Sequence, residues 1–177
     1  MNRHIGLPIA LCLVGTSLVA TSLPAPAQEV AAWRVECTGD GKSLDCRALQ
    51  QLFHRESRQL MLSVLVRGSA APSTSSKDAK NAPASGTTAQ VAIQLPLGLD
   101  LTEPVLIRVD NGPVDKQPIR TCTNTGCFAA FVANDKMVAQ MRTGAQLKVT
   151  VQDGSKKPVE MSLPLLGFGI AFDKARS

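Results

Sequence analysis

Residues 146–164 read QLKVTVQDGSKKPVEMSLP, and the spacing within them decides the fold class. Leu147, Val149 and Val151 alternate with Lys148, Thr150 and Gln152. Beyond Asp153 and Gly154, Val159, Met161 and Leu163 alternate with Glu160 and Ser162. A period of two places the apolar set on one face of a half-buried strand. Two such runs joined by a short polar stretch containing Gly predict an antiparallel hairpin with a loop of about five or six residues. The same period recurs outward from this hairpin. Val91, Ile93 and Leu95 share one face, as do Val105, Ile107 and Val109, with Leu106, Arg108 and Asp110 opposite. Residues 61–67 form another strand, and Asp110-Asn111-Gly112-Pro113 is a strong turn signal.

One helix stands out from this pattern. Asn134 is placed as its N-cap, Met137, Val138 and Met141 lie on one face, and Gly144 falls just past the end. Residues 44–58 are ambiguous, because Leu49, Leu52 and Phe53 also suit a helix. Many short strands, frequent turns and one short helix read as an all-β domain, an antiparallel β-sandwich or barrel-like fold.

The composition supports such a core without aromatic bulk. Of 177 residues, 44% are hydrophobic and 19% charged, but only 3% are aromatic, so Leu, Val, Ile, Met and Ala must fill the interior. Fibrous, wholly disordered and polytopic membrane classes are excluded on these figures. The first 27 residues read as a cleaved signal peptide: Arg3, an apolar run over residues 5–20, then Ala25-Pro26-Ala27 before Gln28. A membrane span needs about 20 apolar residues, and this run is shorter and broken by Gly6, Pro8 and Gly15. Cys12 falls within the discarded segment. Residues 28–177 then form one domain of ordinary size. Within it, residues 69–90 contain no Leu, Ile, Val or aromatic side chain and read as a disordered surface loop. Loop-closure entropy tolerates such an insertion because its cost rises slowly with length.

Four cysteines remain after cleavage: Cys37, Cys46, Cys122 and Cys127. An even count in an exported chain points to two disulfides. Of the three pairings, the grouping into near neighbours favours Cys37 with Cys46 and Cys122 with Cys127. Each closes a short loop and stabilises by about 2 to 3 kcal/mol in the chain-entropy model. A zinc site is disfavoured by the spacing and by the lack of a nearby His. Loss of Arg3 leaves only a mild surplus of basic over acidic residues, and these are scattered, so nucleic acid is not indicated as a partner.

No group of residues assembles a catalytic motif. Gly41-Lys42-Ser43 resembles the end of a phosphate loop, but Glu36 stands where that loop needs Gly, and a turn is the better account. His54 is the single His beyond the leader, so any histidine-dependent mechanism must use it. With Arg55, Glu56 and Arg58 beside it, His54 reads as part of a solvated charged face. His54, Arg55 and Arg58 are nevertheless the candidate contacts for an anionic ligand or partner. Trp33 is assigned to the core beside Cys37. The Cys122–Cys127 spacing lacks the Cys-x-x-Cys form of a redox site and reads as a staple at a strand edge. No paired carboxylates, metal cluster or cofactor motif are grouped in the chain.

An ordered set of residues resembles the invasion-associated locus B family. The set is Trp33-x-x-x-Cys37, Leu95-Pro96-Leu97-Gly98, Val109-Asp110, Thr121-Cys122 with Gly126-Cys127 and a following small residue, Gly144-x-x-Leu147-x-Val149, and Ser162-Leu163 leading to Gly167-Phe168. It spans Trp33 to about Ala171. Two departures are Glu103-Pro104, where a turn glycine is usual, and the long 69–90 insertion. The resemblance implies an exported protein of Gram-negative, largely alphaproteobacterial cells, in the periplasm or at the cell surface. It implies no enzyme, no metal and no cofactor, and some members are linked to host-cell entry. The expected function is binding of an envelope or host protein or another envelope component, with peripheral membrane association left open. The alternative is a periplasmic small-ligand carrier or stress-protective factor.

Overall fold

The computed structural model describes residues 33–39, 43–68 and 89–176. The chain forms β1 (Arg34–Gly39), β2 (Leu44–Phe53), β3 (Leu60–Gly68), β4 (Ala89–Leu95), β5 (Val105–Val109), β6 (Asp115–Gln117), β7 (Thr121–Thr123) and β8 (Gly126–Ala133). Helix α1 (Asp135–Thr143), β9 (Gln146–Gln152), β10 (Pro158–Pro164) and helix α2 (Phe168–Lys174) follow. All strand pairs are antiparallel. One sheet has the order β1-β2-β3-β4-β8-β7 and the other β10-β9-β5-β6. The result is a two-layer sandwich whose larger sheet extends past the smaller one and is completed there by α2.

Alternation works out as the spacing requires. Val64, Val66, Ile93, Leu95 and Ala129 of the larger sheet face Ile107, Leu147, Val149 and Leu163 of the smaller one, all fully or almost fully buried. The β9–β10 hairpin pairs Val151 with Val159, Val149 with Met161 and Leu147 with Leu163, around a five-residue connection. Asp153 holds that connection by accepting from the N–H groups of Ser155 and Lys157, at 2.8 and 2.9 Å. In α1, the Asn134 side chain accepts from Met137 N at 2.9 Å, and Met137, Val138 and Met141 are buried. The ambiguous stretch 44–58 resolves as the long strand β2 followed by a turn, because Ala48 and Gln50 alternate inward and Arg47, Leu49 and Gln51 outward.

Two expectations need correction. The domain has two helices rather than one: α2 follows Gly167, which adopts a left-handed φ of 84°. Its seven residues are too few to form a helix without tertiary contacts, and packing of Phe168, Ala171 and Phe172 supplies them. Strand β4 also begins at Ala89, so Ala89 and Gln90 belong to the sheet rather than to a loop. The remainder of that reading, residues 69–88, lies outside the described residues, as do the leader reading at 1–27 and Gly41 and Lys42.

The sparse aromatics are concentrated at α2. The Trp33 ring meets Phe168 edge to face at 4.9 Å, and Phe168 stacks on Phe172 at 5.5 Å. Trp33 Nε1 donates to Pro164 O at 3.0 Å, closing β1 onto β10. Both disulfides are confirmed at the predicted pairs, and each joins directly opposed residues with Cα atoms 4.0 Å apart. They tie the two edge strands of the larger sheet, β1 and β7, to their neighbours. The β10 edge is guarded differently. Leu165 N donates to Ala145 O and Asp153 N to Lys157 O, both at 2.9 Å, so the odd-numbered residues of β10 face β9. The even-numbered residues face outward. Two of these are Pro158 and Pro164, which leaves only Glu160 and Ser162 with an outward N–H, a protected edge.

Candidate functional site

Two of the surface grooves set charged side chains against apolar walls. The first lies beside the β2–β3 loop and includes His54 and Arg55, with Leu52, Phe53 and Met61 against Val159 to Ser162 of β10, a volume of about 530 Å³. The loop is a tight turn. Arg58 N donates to His54 O at 3.0 Å and His54 N to Gln59 O at 2.8 Å. Arg58 closes it with a left-handed φ of 56°, and this residue is not among those lining the groove. His54 and Arg55 thus line the groove, while Arg58, exposed in the same turn, lies just outside that lining.

His54 Nδ1 accepts from Ser57 N at 3.3 Å, which puts the proton of the neutral ring on Nε2. Ser57 Oγ lies 3.2 Å from the same nitrogen. A serine beside a histidine is the first half of a nucleophile–base pair, but here the contact is local, exposed and built within a single turn. Among the described residues no carboxylate orients Nε2, so a triad is not assembled. The nearby Arg108 of β5 is occupied by Glu160 of β10 at 2.9 Å.

The second groove was not anticipated from the sequence. It lies on the outer face of the larger sheet, with a volume of about 370 Å³. The register aligns Leu49, Leu65, Ala92 and Ala130 across β2, β3, β4 and β8, and the next row aligns Arg67, Gln90 and Val132. Two alanines on neighbouring strands leave the face recessed, with an aliphatic floor. The rim is charged. Arg67 Nε donates to Asp45 Oδ1 at 2.6 Å, and Arg67 Nη2 pairs with the second oxygen, so this pair is a bidentate, internally neutral unit. Arg47, on the same face, is not engaged in this way. Its Nε is shielded from solvent and has no hydrogen-bond partner. Glu36 stands directly opposite Arg47 in the β1–β2 ladder, but it accepts from Arg34 Nε at 3.0 Å.

The local sequence carries little signal of this groove. Its residues come from four strands, and each strand taken alone reads as an ordinary half-polar run. The one available cue was apolar residues, Leu65, Ala92, Ala130 and Val132, on the face opposite the core.

Among the described residues, no three His, Cys, Asp or Glu side chains cluster as a metal site. Among them too, no helix is long and apolar enough to cross a membrane.

Comparison with known proteins follows the same outline. The model of the invasion associated locus B (IalB) protein family matches residues 33–176. An invasion protein B homolog of Brucella abortus is 26% identical over 181 residues, spanning 99% of this chain and 96% of that protein. The invasion protein B of Bartonella bacilliformis is 26% identical over 122 residues, covering 67% of this chain and 56% of that protein. The crystal structure of invasion associated protein B from Bartonella henselae superposes with a TM-score of 0.68 at 21% identity, covering 84% of this chain and 92% of that one, which shows the shared fold. The family match spans both disulfides, both sheets and both helices, and the chain belongs to the invasion associated locus B family.

Proposed function

We propose that the protein is an exported, non-enzymatic component of the cell envelope, in the periplasm or at the cell surface, that works by binding an envelope component or protein through the outer face of its larger sheet. In a pathogen such binding assists association with host cells. The observation that carries this reading is the recessed face itself. It has an aliphatic floor and a charged rim, and no described element covers it. The family name, given for association with invasion, and the signal-like leader support export and binding.

A second reading, a periplasmic small-ligand carrier or protective factor, draws on the His54 and Arg55 groove, where an apolar wall meets Arg55 with Glu56 and Glu160 beside it. Fractionation of the native host with protease treatment of intact cells separates surface from periplasm. Digestion from outside supports surface binding and a direct role in host association. Protection until the outer membrane is opened supports a periplasmic role, and recovery in the cytoplasm contradicts export altogether.

A further inference from the structure

We infer that the outer-face groove accepts a single-chain acyl carboxylate, with Arg47 gripping the head group and the aliphatic floor taking the chain. This rests on the proposed binding role of that face and names its ligand class. The charge pattern selects the head. Arg67 is neutralised by Asp45, and Glu36 is committed to Arg34. Arg47 is therefore the rim cation without a counter-ion among the described residues, and its terminal nitrogens are the ones a ligand can reach. A carboxylate brings the missing charge, in the geometry a guanidinium favours.

The floor selects the body. Leu65, Ala92, Ala130 and Val132 offer aliphatic carbon, while β3 and β4 are interior strands whose N–H and C=O groups are used by neighbours. A peptide lying there would bring an N–H and a C=O per residue to a surface unable to receive them. An acyl chain brings none. The volume, about 370 Å³, suits a small ligand.

The test is titration of the whole exported chain with sodium laurate below its micellar range, followed by amide NMR, with dodecanol as neutral control and acetate as head group alone. Laurate is expected to shift the amides of Leu65, Ala92 and Ala130 and to bind roughly tenfold or more tightly than dodecanol. Arg47→Gln is expected to abolish that preference without loss of fold, since the Arg47 side chain holds no partner among the described residues. Lys116→Gln, which removes one charge on the other sheet, is expected to change nothing. Ala130→Phe fills the recess and is expected to block binding with Arg47 intact. Equal affinity for laurate and dodecanol in the groove, or unchanged laurate affinity in Arg47→Gln, would overturn the ligand class and leave the groove as a binding face. Shifts confined to the β2–β3 loop, or no shift with either amphiphile, would likewise overturn the ligand class, while the binding role of the face falls only if a crosslinker placed at Val132 captures nothing in living cells.

Discussion

Arg58, a candidate contact by its charge, also shapes the backbone of its turn. At φ 56° it sits where glycine is at ease and other residues are strained. Its N–H closes the turn onto His54 O. Arg58→Gly is therefore expected to leave stability unchanged or raise it by up to about 1 kcal/mol in thermal melts. A loss of ligand or partner affinity in that variant would identify the Arg58 side chain as a contact. The cysteines are the opposite case, legible because spacings of nine and five leave little choice of partner once strands are assigned. Cys122→Ser should lower stability by about 2 kcal/mol and expose Cys127 to alkylating reagents in the unfolded chain. A protein as stable as wild type would show that β7 is held by its ladder alone. Among the described residues His54 is the histidine available for chemistry, and only the coordinates reveal that its Nδ1 is spent on the local turn.

At the scale of elements, periodicity was legible wherever an element's own sequence determined it. The β9–β10 alternation and the Asn134 cap of α1 are local properties, and both appear as expected. Helix α2 was not legible, because its partners lie far away in sequence: Trp33, and Arg142 of α1. Arg142 donates to Asp173 with both terminal nitrogens, one at 3.0 Å, while Arg142 and Arg176 lie over the Phe172 ring at 5.4 and 5.3 Å. The hydrogen bonds from Arg142 hold the Asp173 carboxyl below its ordinary value, although desolvation opposes this. A carboxyl with a lowered value in the folded state binds fewer protons there than when unfolded. Its stabilising contribution is complete above the unfolded value and is lost as pH falls through the lowered one. The partner guanidinium is raised by the same hydrogen bonds, which matters only far above neutral pH. Wild type is therefore expected to lose more thermal stability than Asp173→Asn between about pH 5 and about pH 3. Trp33 fluorescence, reporting on the Phe168 contact, is the direct readout. Parallel losses in the two proteins would remove this pair as the acid-sensitive link.

At the scale of the whole molecule, the sandwich class and the family outline could be read from alternation, turns and cysteine spacing, whereas the outer-face groove could not. A groove built from Arg47, Leu65, Ala92 and Ala130 exists only after four strands have been placed in register. No single segment encodes its recessed floor, and an alanine on an outward position is unremarkable in isolation. The same assembly leaves the β10 edge poorly suited to strand addition, because its prolines leave it with two outward donors. The central claim, that this face is the functional surface, is tested most directly in living cells by a photo-crosslinking residue at Val132, in the groove and 64% exposed, against the same residue at Ile170 of α2, 69% exposed. A discrete light-dependent adduct from position 132, absent from position 170, is the result expected. Adducts from 170 alone, or from neither position, would contradict it.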